Sequence, residues 1–266
     1  MCLPPRTPAV VHLVLLAGLA TIHPAAAQVP STWKRIGPAG AYRNTLGING
    51  MNGRFYTIEN DGTLYSSDLT GAWKQIGKTG DYAGTTMILA MDGRFYNIQN
   101  GTMYATDPSD GSWVTIAAPG SWANTAILVG MNGYIWSFER DGTLYRTDRN
   151  GSYEKIDAGH LRPRMLAAMS GKLWAIDDAT LWSLDPGKRW EMLGDPGDFE
   201  DASWFIASPG FLWELDDDGT LFRGDSNYKW IKVGGDGEFK GVRFLVALGT
   251  NMYVIKDGTM YRVPSP

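Results

Sequence analysis

Five aromatic residues recur at an offset that could serve ligand recognition. Tyr42, Tyr82, Trp122, Phe199 and Phe239 each fall nine positions after another aromatic: Trp33, Trp73, Trp113, Trp190 and Trp230 in turn. A sugar ring presents a flat face of C–H bonds that packs on an aromatic side chain, and its hydroxyls need donors and acceptors at the ring's edge. Arg43, Asn44, Asp81, Asn124, Asp198, Glu200, Glu238 and Lys240 stand beside these rings. The pattern thus supplies both halves of a sugar site. Tolerance for Tyr, Trp and Phe alike also suits rings wedged into a core, so the residues leave two readings open.

A second group is confined to one place. The stretch "GHLRPRM" at Gly159 to Met165 gathers His160, Arg162 and Arg164. Two guanidinium groups and an imidazole can hold a carboxylate, sulfate or phosphate through charge-assisted hydrogen bonds. The plainer alternative is that the arginines pair with neighbouring acids.

Signatures of catalysis are missing. The chain has no G-x-S-x-G elbow, no H-E-x-x-H and no phosphate loop. "DDDGT" at Asp216 to Thr220 gathers acids but lacks the alternate spacing and the distant glutamate of a calcium loop, so no metal site is expected. No cofactor is implied either.

The first 27 residues read as a cleaved secretion signal. Arg6 precedes an apolar run from Ala9 to Ala20, and Ala25, Ala26 and Ala27 form a small-residue cleavage site before Gln28. The run is broken by His12, His23 and Pro24 and falls short of the ~20 residues of a membrane span. A secreted or periplasmic product is expected, with residues 28–266 forming one domain. Cleavage would remove the only cysteine, Cys2, which excludes disulfides and cysteine chemistry from the mature chain and leaves His160 as its one histidine. The formal net charge of −4 would become −5 without Arg6, and no Lys/Arg block stands out, so nucleic acid is not an expected partner.

The elements that must position these residues follow from a repeat. Trp33, Trp73, Trp113, Tyr153, Trp190 and Trp230 open six copies of one unit of about 40 residues. Each copy ends alike, at "DGTLY" (Asp61), "NGTMY" (Asn100), "DGTLY" (Asp141), "DATLW" (Asp178), "DGTLF" (Asp218) and "DGTMY" (Asp257). Asp-Gly and Asn-Gly pairs between alternating apolar segments mark hairpins, because both residues tolerate positive φ. Upstream, segments such as "RFYTIE" and "YIWSFE" are too short and too rich in aromatic and branched residues for helices.

Four short strands per unit, repeated six times, predict an all-β six-bladed β-propeller of four-stranded antiparallel blades. The chain opens on a lone Trp strand and closes on "TMYRV", the strand that elsewhere precedes a Trp strand. The N-terminal strand is therefore expected to complete the last blade and remove any free edge. Met51 to Asp68 and Met131 to Asp148 look alike, as the middle hairpins of two blades in equivalent surroundings would. The fourth unit is the irregular one, three residues short and with Ala179 in place of the turn glycine. In this strand order His160, Arg162 and Arg164 are expected near the mouth of the central channel.

The pattern "W-x-x-IG-x-x-G-aromatic" followed by "G-x-x-Y-x-I-x-x-DGTLY" resembles the blade sequence of tachylectin-type and tectonin-type propellers from Trp33 to Arg262. That resemblance implies a secreted sugar-binding protein with shallow sites repeated around one face, glycans or glycoconjugates as ligands, and no catalysis. Two other classes stay open: an extracytoplasmic scaffold for a protein partner, and a channel-site hydrolase or lyase using the fourth-unit loop. Deep convergent acids in the channel would favour the enzyme, and a broad apolar face the scaffold.

Overall fold

The computed structural model describes residues 32–264, so the expected secretion signal lies outside the described residues. Six four-stranded antiparallel sheets account for all the strands, and no helix occurs among the described residues. Blade 1 runs from its inner strand outward as Thr45–Met51, Arg54–Glu59, Leu64–Ser67 and Trp73–Ile76. Blade 2 comprises Thr85–Met91, Arg94–Gln99, Thr102–Thr106 and Trp113–Ile116. Blade 3 comprises Thr125–Met131, Tyr134–Glu139, Leu144–Thr147 and Tyr153–Ile156. Blade 4 follows with Met165–Met169, Lys172–Asp177, Thr180–Leu184 and Glu191–Leu193. Blade 5 has Ala202–Ser208, Phe211–Asp216, Leu221–Asp225 and Trp230–Val233.

Blade 6 takes its first three strands, Val242–Leu248, Asn251–Lys256 and Thr259–Arg262, from the end of the chain. Its outer strand is Lys34–Ile36, paired as Lys34 with Arg262, Arg35 with Tyr261 and Ile36 with Met260. The inner strand of each blade packs against those of both neighbours, blade 6 against blade 1 included, so the ring is closed.

Alternation along the strands places the core between blades. On the second strand of blade 3, Ile135 joins a cluster with Met103 and Ile116 of blade 2, whereas Trp136 and Phe138 join Leu173 and Ala175 of blade 4. Successive side chains of a strand point to opposite faces, and each face here meets a different neighbour. Burying a large apolar side chain this way contributes ~1.5–3 kcal/mol.

The Asp-Gly turns come in two lengths. In blades 2, 4 and 6 the loop is two residues, both at positive φ: Asn100 and Gly101, Asp178 and Ala179, Asp257 and Gly258. Ala179 thus adopts the left-handed conformation (φ 58°) that glycine takes elsewhere. In blades 1, 3 and 5 one more residue enters before the aspartate, namely Asn60, Arg140 or Asp217. There the aspartate caps the turn instead, accepting from the amides of Thr63, Thr143 and Thr220 at 2.7 to 2.9 Å. Glycine follows of necessity: a Cβ on Gly62 (φ 74°) would lie 2.6 Å from the amide nitrogen of Ala83 in the next loop.

Candidate functional site

The loops entering each inner strand and the Asp-Gly turns share one face, where they touch through a repeated bond. The amide of Tyr42 donates to the carbonyl of Gly258, Tyr82 to Gly62, Trp122 to Gly101, Phe199 to Ala179 and Phe239 to Gly219, all at 2.8 to 3.0 Å. Each ring therefore hangs between the turn of one blade and the sheet of the next. All five are buried, none more than 5% exposed. Four of them pack on the outer-strand aromatic of their own blade: Tyr42 on Trp73 at 4.8 Å, Tyr82 on Trp113 at 5.6 Å, Phe199 on Trp230 at 5.6 Å and Phe239 on Trp33 at 4.9 Å.

This corrects the reading of these rings as sugar platforms. Tyr42, Tyr82, Phe199 and Phe239 are interblade wedges whose faces are covered by protein. Their polar neighbours are likewise engaged. Asp81 accepts from the amide of Lys78 (2.7 Å), Asp198 from that of Asp195 (3.0 Å), and Glu238 from that of Gly235 (2.7 Å) and from the indole of Trp33 (2.9 Å). Arg43 is exposed, and its carbonyl accepts from the guanidinium of Arg243 at 3.2 Å.

The fourth-unit cations separate. Leu161, buried beneath the Gly142 turn, takes the wedge position that is aromatic elsewhere. His160 and Arg162 are exposed, and the amide of Arg162 donates to Asp177 at 3.3 Å. The Arg164 guanidinium donates instead to the carbonyls of Phe199 and Glu200, tying blade 4 to the loop of blade 5. The three do not converge as an anion site would require, and none lines the channel. The channel, a cavity of 360 Å³, is walled by mostly apolar inner-strand residues such as Ile88, Leu128, Ala168, Trp204 and Ala247, with Asn49 also in its wall.

Blade 3 differs from its neighbours. Trp122 turns its indole N–H back to the carbonyl of Ile116 at 3.2 Å and makes no ring contact with Tyr153. A cleft of 660 Å³ opens on the loop face, lined by Ala117, Ser121, Trp122, Asn124, Ser137, Glu139, Arg140, Asp141, Tyr145, Thr147 and Tyr153. Of the sequence-predicted residues it brings together Trp122 and Asn124. Tyr153 is 69% exposed and meets Tyr145 edge to face at 5.7 Å. At the rim, Glu139 accepts from the hydroxyl of Thr125 at 3.0 Å, and burial holds its carboxyl above the usual range. Asp141 lies below its usual range, chiefly because the Thr143 amide donates to it. The carbonyl of Asn124 accepts from the Arg140 amide at 2.9 Å, fixing loop to turn.

Blade 1 repeats the outer half of this cleft with 410 Å³, lined by Ala41, Asn44, Glu59, Asn60, Asp61, Tyr65 and Trp73. Glu59 accepts from Thr45 at 2.7 Å, and burial raises its carboxyl as well. Sequence reasoning missed the rim acids, Arg140 and the two blade 3 tyrosines. One signal was present: the second strand ends on an acid at Glu59, Glu139, Asp177 and Asp216.

No protein-family model matches the chain, and no curated protein is a significant match. Among solved structures, YCF48 bound to D1 peptide is similar at 14% identity over 91% of this chain and 98% of that one, with a TM-score of 0.58. Streptogramin B lyase is similar at 11% identity over 87% and 97%, TM-score 0.56. Virginiamycin B lyase from Staphylococcus aureus is similar at 12% identity over 88% and 84%, TM-score 0.58. At these identities the likeness is one of fold.

Proposed function

We propose that the protein is an exported carbohydrate-binding propeller that takes glycans into interblade clefts on its loop face without breaking bonds, as the resemblance to tachylectin-type propellers implies. The observation that carries this reading is the blade 3 cleft, where two tyrosines stand beside a rim of Asn124, Glu139, Arg140 and Asp141. Aromatic faces next to closely spaced donors and acceptors match what a pyranose offers. The blade 1 cleft provides a second, shallower site, and two weak sites on one rigid ring give avidity toward a glycan-coated surface. Among the described residues no acid lines the channel, which gives no support to hydrolysis there.

A protein-binding scaffold is the second reading. It is favoured by apolar exposure on the blade 2 rim, where Trp113 and Val114 are open to solvent. A similar fold, YCF48, was solved with a peptide bound. A glycan array probed at high protein concentration, with Tyr153→Ala alongside, decides between them. Retention of a defined glycan that the variant loses is expected; retention of no sugar sinks the lectin reading.

A further inference from the structure

The blade 3 cleft has the form of a missing ring. In blade 1 the wedge Tyr42 packs on Trp73, which also meets Tyr65 at 5.6 Å, and its phenol pairs with the hydroxyl of Ser67 at 3.0 Å. In blade 2 the same set recurs: Tyr82 packs on Trp113, Trp113 meets Tyr104 at 5.0 Å, and the phenol of Tyr82 donates to Thr106 at 3.1 Å. Blade 3 keeps the outer pair, Tyr145 and Tyr153, but Trp122 has turned toward Ile116. The floor hydroxyl corresponding to Ser67 and Thr106 is that of Thr147.

Thr147 and Ser137 line the cleft, and as whole residues they are at most 2% exposed. Here the group that satisfies this position in blades 1 and 2 is a six-membered ring bearing a hydroxyl.

We propose that a pyranose bound in the blade 3 cleft takes the place of this missing ring, one face on Tyr153 and one hydroxyl on Thr147, and that Trp122 is the residue that keeps the place open. The proposal rests on the carbohydrate reading and adds to it the pose and the determinant. A phenol could fill the ring position too, but it carries one hydroxyl. The rim of Asn124, Glu139, Arg140 and Asp141 has hydrogen-bonding capacity for several, which favours the sugar.

The test measures binding of methyl gluco-, galacto- and mannopyranosides and of p-cresol by saturation-transfer NMR and calorimetry, to the wild type, Trp122→Tyr and Thr147→Val. At least one pyranoside should bind the wild type. Trp122→Tyr should supply the wedge from within, keeping or raising the melting temperature while abolishing pyranoside binding. Thr147→Val removes only the floor hydroxyl and should weaken binding ~10-fold, as loss of one hydrogen bond does. Wild-type affinity in both folded variants overturns the proposal and leaves the carbohydrate reading standing. Failure of every pyranoside to bind the wild type overturns both, and p-cresol binding lost in Trp122→Tyr would then assign the cleft to a tyrosyl side chain. Should Trp122→Tyr fail to fold, Thr147→Val decides alone.

Discussion

Glu214 should make the stability of the protein fall as pH rises, and replacing it with an uncharged side chain should remove that fall. Its side chain occupies, in blade 5, the floor position that Ser137 holds in blade 3, and it is 6% exposed. Burial, reinforced by the charge of the hydrogen-bonded Asp216 carboxyl two residues on, pushes its pKa up to about 9, and the Arg164 guanidinium opposes this only in part. The folded protein therefore keeps a proton that the unfolded chain releases above the ordinary glutamate value of 4.5. An acid raised in this way contributes nothing unfavourable below that value. Above it, stability declines by ~1.4 kcal/mol per pH unit until the folded-state pKa is reached. Three units, from about pH 4.5 to 7.5, set a ceiling of ~4 kcal/mol for the Glu214–Asp216 pair, and an effect of about half that ceiling, ~2 kcal/mol, is expected. Glu214→Gln keeps the shape, donates its amide to Asp216 and does not titrate. Urea unfolding followed by tryptophan fluorescence at pH 5 and pH 8 should show the two proteins nearly equal at the lower pH. At pH 8 the variant should be ahead by ~2 kcal/mol, or ~4–8 °C in Tm. Wild-type stability that is flat from pH 5 to 8, or a variant weaker than wild type at pH 8, refutes the reasoning.

Two further outcomes follow from the packing. Tyr82→Ala removes a fully buried wedge and its bond to Thr106, and should cost ~3–5 kcal/mol in denaturant unfolding without changing the affinity of the blade 3 cleft for a pyranoside. Deleting residues 1–36 removes the strand that completes blade 6 and exposes the edge at Thr259–Arg262; loss of a single cooperative transition and aggregation on size-exclusion chromatography are expected, and a monodisperse protein with unchanged Tm counts against closure as a source of stability.

The fold was legible because equivalent positions in a ring have equivalent surroundings, so the head aromatic and the closing segment could each be read six times and the turn glycine five times. Where one copy departs, the sequence shows only that it departs. Leu161 keeps the wedge role with no aromatic ring, and Ala179 keeps the turn with no glycine, because the Phe199 and Gly197 amides still bond to its carbonyl at 3.0 and 3.2 Å. Arg164, read as an anion ligand, instead satisfies two loop carbonyls. In each case the deciding partner belongs to a neighbouring unit about 20 to 40 residues away, which no local pattern contains.

The site was half legible, and the useful signal was the extra turn residue that Met51–Asp68 and Met131–Asp148 share. Equivalent surroundings explain a likeness every forty residues; they do not explain why blades 1 and 3 share a form of turn that the blade between them lacks. These two share the longer turn, with Asn60 and Arg140 bonded back to Asn44 and Asn124, and an acid pinned by Thr45 or Thr125. A cleft opens in both. Blade 5 has the longer turn as well, but Glu214 replaces the floor hydroxyl and the phenol of Tyr228 reaches across to the carbonyl of Leu193 at 2.9 Å. A period of eighty residues is thus superposed on the forty-residue fold. Within it, the wedge separates a floor sealed by Tyr42 from one that Trp122 leaves open.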